Sequence, residues 1–223
     1  MPIFALAALT AGCSGDFSAL DPAGPAAGSV AQLWWVMFAG SVLLFTLVMG
    51  LFVLTMLRPG FGSVVSARTW IVSGGLLMPV PILTLLVYYS LFQGERLLPQ
   101  KDGTVQPLRI EAKARQWEWE FHYLNESSAP STVNVLHIPA GQPVDVIAVS
   151  EDVIHSFWVP RLGGKVDATP GHAAQVRLLA DRAGRFGGLC AEYCGRGHAG
   201  MRFWVEAHEP EDFAALAEKG FAE

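Results

Sequence analysis

Cys190-Ala191-Glu192-Tyr193-Cys194-Gly195-Arg196-Gly197-His198-Ala199-Gly200-Met201 sets two thiols, an imidazole and a thioether within twelve residues. These are soft or borderline ligands, the set that selects copper over hard cations. A second imidazole, His155, lies in Asp152-Val153-Ile154-His155-Ser156-Phe157-Trp158, at the end of an alternating apolar run. A single blue-copper ion takes one Cys, two His and a weak axial Met, so this chain carries one thiol too many for that site. Two Cys spaced by four in one loop, with a His four further on, suit two metal ions sharing both thiolates. The rival reading is a Cys190–Cys194 disulfide, which an oxidising compartment would permit. It closes a small loop and leaves His155, His198 and Met201 without a role.

Upstream of the loop the pattern has a period of two. Gln116, Glu118, Glu120 and His122 alternate with Trp117, Trp119, Phe121 and Tyr123, which predicts a strand with one polar and one aromatic face. Val133 to Ile138, Val144 to Val149 and Gln175 to Leu179 also read as strands, separated by Pro139-Ala140-Gly141, Pro170-Gly171 and Ala183-Gly184. Short strands at regular spacing predict an antiparallel sandwich. Most strand aromatics simply fill a core, and that reading stands for Trp117 and Trp119 alike.

Further upstream the composition changes. The chain of 223 residues is 52% hydrophobic with a mean hydropathy of +0.36, and the excess is concentrated in two places. Leu33 to Leu57 and Trp70 to Phe92 contain no charged residue. Each is long enough to cross a hydrocarbon core of about 30 Å, which takes roughly 20 residues. Buried core helices rarely run so far without a polar face. Trp34, Trp35 and Trp70 open the spans and Tyr88, Tyr89 and Phe92 close the second, as interfacial aromatic belts do. The connection holds Arg58 and Arg68 and no acid, which puts it in the cytoplasm and both termini outside. Pro79 and Pro81 interrupt the second span, so a break in its hydrogen-bond ladder is expected there. At the amino terminus, Leu9-Thr10-Ala11-Gly12-Cys13 after a short apolar run reads as a lipoprotein signal over residues 1–12, with Cys13 the candidate for lipidation. Thr10 and the lack of a basic flank depart from that pattern, and the alternative is an idle thiol. A net charge of −5 excludes a nucleic-acid binder, which would present a basic face.

The string His155 plus C-x-E-x-C-x-x-x-H-x-x-M resembles the copper (CuA) domain of cytochrome c oxidase subunit II. Gln116-Trp117-Glu118-Trp119 resembles that family's Q-W-x-W strand, and Leu162 to Gly171 the stretch between its first His and first Cys. With the two apolar spans, the resemblance runs from about Ala19 to Glu209. It implies a two-helix transmembrane hairpin over residues 30–92 and an all-β cupredoxin-like Greek-key barrel over 105–209. Residues 210–223 would follow as a short amphipathic tail.

The resemblance also implies a binuclear copper centre. Cys190 and Cys194 would bridge the ions, His155 and His198 would be terminal ligands, and Met201 and the Glu192 backbone carbonyl would be weak ligands. The Glu192 carboxylate would hold a magnesium or manganese ion at an interface with subunit I, the alternative being a solvated acid. Trp117 would receive electrons from cytochrome c, with Trp119 left to packing. The implied protein sits in a bacterial inner membrane with its copper domain outside. Its partners would be haem-bearing subunit I, subunit III and a cytochrome c that docks on acidic residues.

Three departures matter. His172 stands where the family usually has Arg, and Ala67-Arg68-Thr69-Trp70 lacks the Glu often found near the second span, so no proton-uptake residue is carried over. There is no C-x-x-C-H, so the donor is expected to be a separate protein or another subunit. Two other readings share the resemblance: the copper-bearing subunit of a haem-copper nitric oxide reductase, and a copper-free quinol oxidase subunit II, whose members lack the Cys pair.

Overall fold

The computed structural model describes residues 11–95, 106–124 and 131–221. The proposed signal over 1–12 therefore falls almost wholly outside the described residues. Two compact units result, one joining the residues up to Ala31 to the β-sheets, the other beginning at Gln32.

The second unit is helical. Helix α1 (Pro25–Leu57) enters it from the first unit, and both α1 and the stretch Ala67–Gly94 are long and apolar enough to cross a membrane. α1 begins eight residues before the first charge-free span, because Pro25 is well placed at a first helical turn. The second apolar stretch is not one regular helix. Ser66 caps α2 (Ala67–Val72) by accepting from the Thr69 N–H at 3.1 Å. A π-helical turn follows at Ser73–Leu77, closed by Met78 N–H donating to the Ser73 carbonyl at 2.9 Å, before α3 (Pro79–Glu95). Pro79 has no N–H to offer the preceding turn, and the ladder widens just in front of it.

In the first unit, the described residues form ten strands in two five-stranded sheets. They are β1 (Leu108–Arg115), β2 (Glu118–Tyr123), β3 (Thr132–Val133), β4 (Val135–Pro139), β5 (Val144–Ser150), β6 (His155–Trp158), β7 (Val166–Ala168), β8 (Ala174–Leu178), β9 (Gly184–Cys190) and β10 (Arg202–His208). One sheet runs β3-β2-β1-β5-β8 and the other β4-β10-β9-β6-β7. The sandwich is mixed and not wholly antiparallel: β1 runs parallel to β5, and β10 parallel to β4. These are the pairings made by long connections between strands of different hairpins, and strand periodicity alone carries no information about them. The run predicted as one strand from Val133 breaks at Asn134, whose φ of 57° is a left-handed value that Asn adopts more readily than most residues. Asn134 Oδ1 accepts from Trp119 N–H at 2.9 Å, and its carbonyl accepts from Trp204 N–H at 2.9 Å, so it links the two sheets.

Alternate residues of the strands meet between the sheets. Trp119, Phe121, Phe157 and Phe203 are fully buried or nearly so and form one aromatic cluster, with Phe157 and Phe203 stacked at 4.8 Å. Gly188 makes that stack possible, since a Cβ there would lie 2.2 Å from the Phe203 ring. Two flanking segments complete the unit. Residues before α1 are strapped to the barrel: Ala23 exchanges backbone hydrogen bonds with Arg161 and Asp181, and Arg161 pairs with Asp21 at 2.9 Å. The tail forms helix α4 (Pro210–Glu218), and Phe213, Ala217 and Phe221 are buried with the core, so it is part of the barrel unit.

Candidate metal centre

The end of β9, the start of β6 and the loop before β10 meet at one place. Cys190 closes β9 and His155 opens β6, and Phe157 of β6 is paired with Cys190. The 3-10 turn His198–Gly200 then brings Met201 back, with Cys190 N–H donating to the Met201 carbonyl at 3.0 Å. Gly195, at φ 111°, supplies the left-handed turn that this loop needs.

Six donor atoms converge there. Cys190 Sγ lies 3.8 Å from Cys194 Sγ, 3.8 Å from His155 Nδ1 and 3.2 Å from the Glu192 carbonyl oxygen. Cys194 Sγ lies 3.6 Å from His198 Nδ1 and 3.7 Å from Met201 Sδ. Each sulfur therefore has its own imidazole and its own weak donor, and the two halves share the sulfur pair. A disulfide would hold the sulfurs at about 2.05 Å, so both thiols are free and the disulfide reading fails for this structure. Metal–thiolate bonds of about 2.3 Å let one ion reach both sulfurs, and the same holds on either side of the pair. The residues present thus fit a pair of soft metal ions.

The surroundings fix these donors. His155 Nε2 meets Asp152 Oδ1 at 2.8 Å, which turns Nδ1 toward Cys190, the carboxylate–histidine arrangement common behind metal ligands. Burial works to raise the Asp152 carboxyl, but hydrogen bonds from His155 and from the Gln116 and Val153 N–H groups outweigh it and hold its pKa below the usual range. The Cys194 carbonyl accepts from Gln116 Nε2 at 2.9 Å and from Trp117 Nε1 at 3.1 Å, tying the β1–β2 turn to the loop. Burial, reinforced by the charge of Cys190, pushes the Cys194 thiol up to about 12. A thiol pair in so dry a place ionises only when a cation compensates it.

His155, Cys190, Glu192 (through its carbonyl), Cys194, His198 and Met201 are thus brought together, and Trp117 lies against them. Trp117 is not a strand residue. It sits in the turn after β1 with its ring over Gly197, where a Cβ would lie 2.4 Å from the indole, and it is 42% exposed. Trp119 is buried, as its packing role requires. The Glu192 side chain is exposed. Cys13 is not among these groups; it ends the turn Ala11–Cys13, and its carbonyl accepts from Ser18 Oγ at 2.8 Å. Sequence reading gave no role to Asp152 or to the Gln116 side chain. The signal for Asp152 was its place three residues before His155 in the same turn.

A family model described as cytochrome c oxidase subunit II, periplasmic domain, matches residues 130–208. Cytochrome c oxidase subunit 2 of Alkalihalophilus pseudofirmus is 31% identical over 100% of this chain and 68% of its own length. The chain belongs to the cytochrome oxidase subunit II family. Cytochrome bo(3) ubiquinol oxidase subunit 2 of Pseudomonas putida is a further relative, 34% identical over 67% of this chain. The chain spans about half the length of some relatives, 46% for the Pseudomonas putida protein and 49% for a ubiquinol oxidase subunit 2 of Acetobacter aceti. Among solved structures, the periplasmic domain of subunit II of cytochrome oxidase from Bradyrhizobium japonicum superposes with a TM-score of 0.50 at 28% identity, covering 55% of this chain and 96% of that one. The two-sheet unit therefore has the cupredoxin-like fold of subunit II, and the two apolar helices fit a two-pass membrane protein of that family.

Proposed function

We propose that this chain is the electron-entry subunit of a proton-pumping terminal oxidase. It takes electrons from a cytochrome c at a binuclear copper centre and passes them to haem in subunit I, where oxygen is reduced to water. The observation that carries this reading is the sulfur pair 3.8 Å apart, with an imidazole and a weak donor on each side. Cys190 and Cys194 would bridge the ions, with His155 and His198 terminal, Met201 weak on one side and the Glu192 carbonyl weak on the other. A copper pair bound there supplies a one-electron couple whose charge is spread over two ions.

The chain's own contribution is rigidity and dryness. Asp152 fixes the His155 ring, Gln116 and Trp117 fix the Cys194 carbonyl, and the two sulfurs, His155 and Met201 are each at most 3% exposed. Donors that cannot shift keep the same geometry in both oxidation states, which keeps electron transfer fast. Trp117 is the proposed entry point, because it is partly exposed and its indole makes one hydrogen bond into the metal loop. The exposed Glu192 carboxylate is the proposed magnesium or manganese ligand facing subunit I, a hard oxygen donor suited to such an ion. The barrel is proposed to lie outside the bacterial inner membrane with both termini, beside subunits I and III, with Cys13 the site of lipidation.

A copper-free quinol oxidase subunit is the second reading, favoured by the 34% identity to the Pseudomonas putida protein. Oxygen uptake by the purified complex separates the two. With reduced cytochrome c as donor, uptake is expected to be fast and to vanish with Cys194→Ser. Uptake with a quinol, unaffected by Cys194→Ser, would replace the copper reading.

A further inference from the structure

A second cluster of metal-binding side chains lies at the other end of β10. Glu206 and His208 are two apart on that strand and so point to one face. The parallel pairing with β4 sets His137 directly opposite Glu206. His137 Nδ1 meets His208 Nε2 at 2.9 Å and lies 3.9 Å from Glu206 Oε2, and one donor atom from each of the three residues falls within 4.8 Å of the others. His137 is 6% exposed, whereas Glu206 and His208 are half-buried, so the cluster opens to solvent on one side.

The neighbours hold the cluster in place. Tyr123 Oη accepts from the His137 N–H at 2.9 Å and donates to its carbonyl at 3.2 Å. Phe221 stacks on the His137 ring at 5.1 Å and 6°. Arg185 lies 3.6 Å from Glu206 Oε1, leaving Oε2 toward the imidazoles. Two ring nitrogens aimed at each other need a hydrogen or a cation between them. With metal–nitrogen bonds of about 2.0–2.1 Å, two imidazoles on adjacent positions of one ion lie about 2.9–3.4 Å apart, which includes the distance found here.

We infer that His137, Glu206 and His208 bind a borderline divalent metal ion, of the class of zinc(II) or copper(II), at a site separate from the thiol-rich loop. Two imidazoles and one carboxylate are a recognised ligand set for such an ion when one face is left to water. Met201 stands just before β10 and His208 ends it, seven residues and roughly 23 Å apart at about 3.3 Å per residue, so neither site can share ligands with the other. The proposed ion would bridge β4 and β10 at the edge of the sheet, beside Phe221. It would be solvent-accessible and exchangeable.

The test uses the full-length protein in detergent, untagged, carrying Cys190→Ser and Cys194→Ser so that the loop thiols take no metal. Titration with zinc(II) is followed by calorimetry, and melting temperature is read with and without zinc. One zinc per chain is expected, insensitive to millimolar magnesium, with a rise in melting temperature. His208→Gln should weaken zinc binding by at least about tenfold, the loss typical when a metal site is disturbed, and should remove the thermal shift while leaving the metal-free melting temperature close to its parent. Glu206→Gln checks the carboxylate independently, with a smaller loss expected. Cobalt(II) in the same protein should give a visible spectrum of nitrogen and oxygen ligands that His208→Gln abolishes. Zinc binding that His208→Gln and Glu206→Gln leave unchanged, or no zinc bound at micromolar concentration, would overturn the inference.

Discussion

The two ends of β10 hold donor clusters of opposite character. At its start, Cys190, Cys194, His155 and Met201 are almost wholly buried and supply sulfur and one imidazole each way. At its end, His137, Glu206 and His208 supply nitrogen and oxygen at a half-exposed edge. The first cluster is held by a loop that is itself clamped by Gln116, Trp117 and Asp152; the second sits on two paired strands, with Tyr123, Phe221 and Arg185 against its side chains. Soft donors in a dry, rigid place suit an ion that stays and changes charge. Borderline donors open to water suit an ion that comes and goes.

The largest effect should come from breaking the sulfur pair. Cys194→Ser removes the donor shared by both halves, and copper bound at the loop is expected to fall to background, while zinc at the far cluster is unaffected. Elemental analysis of Cys194→Ser beside the unsubstituted protein checks both statements.

Gly197→Ala should come next. Its Cβ would lie 2.4 Å from the Trp117 ring, so the indole must move. Overpacking of this kind typically costs about 1–3 kcal/mol. Lower thermal stability and faster copper loss are expected together. Asp152→Asn should cost copper affinity roughly 10–100-fold by releasing the His155 ring, measured against a competing chelator. Because Asp152 is held below the usual carboxylate range, it contributes stability that is present above its ordinary pKa and lost only as pH falls through the lowered value. That acid limb of the stability profile should be absent in Asp152→Asn.

The Cys194 thiol has the opposite sign. Its pKa is raised to about 12 without metal, so the metal-free fold keeps its full thiol contribution below an ordinary thiol pKa of about 8.5 and loses it as pH rises toward the raised value. Metal-free protein should therefore weaken in alkali, and copper-loaded protein should not, since binding has already displaced the proton. Thermal melts of both forms across that range show the difference. The smallest structural effect is expected from Trp117→Gln, which should leave copper content near normal and slow electron transfer from cytochrome c in stopped-flow mixing. An unstable, copper-poor variant would instead assign the indole to packing.

The comparison of the two ends also explains what could be read from the residues alone. Cys190, Cys194, His198 and Met201 are recognisable because four metal-binding donors fall within twelve residues, close enough for one loop to gather them, and the charge-free spans follow from composition. His137 and His208 are 71 residues apart and were given no role, because only the register of two parallel strands brings them together. Periodicity identifies strands but not their partners, and for the same reason the sandwich was expected to be antiparallel when two of its pairings are parallel. Trp117 was placed within a strand because the period of two runs through it; the turn after β1 overrides that pattern. Asp152 was visible three residues before His155, yet its role depends on a side-chain contact that spacing does not determine.

Whether the loop holds two copper ions sharing both thiolates is decided by copper counting together with electron spin resonance on the oxidised protein. Two coppers per chain are expected, with one unpaired electron delocalised over both nuclei and a purple colour, and with both signals lost in Cys194→Ser. One copper per chain with an ordinary blue, single-nucleus spectrum, or no copper retained by the intact ligand set, would contradict it.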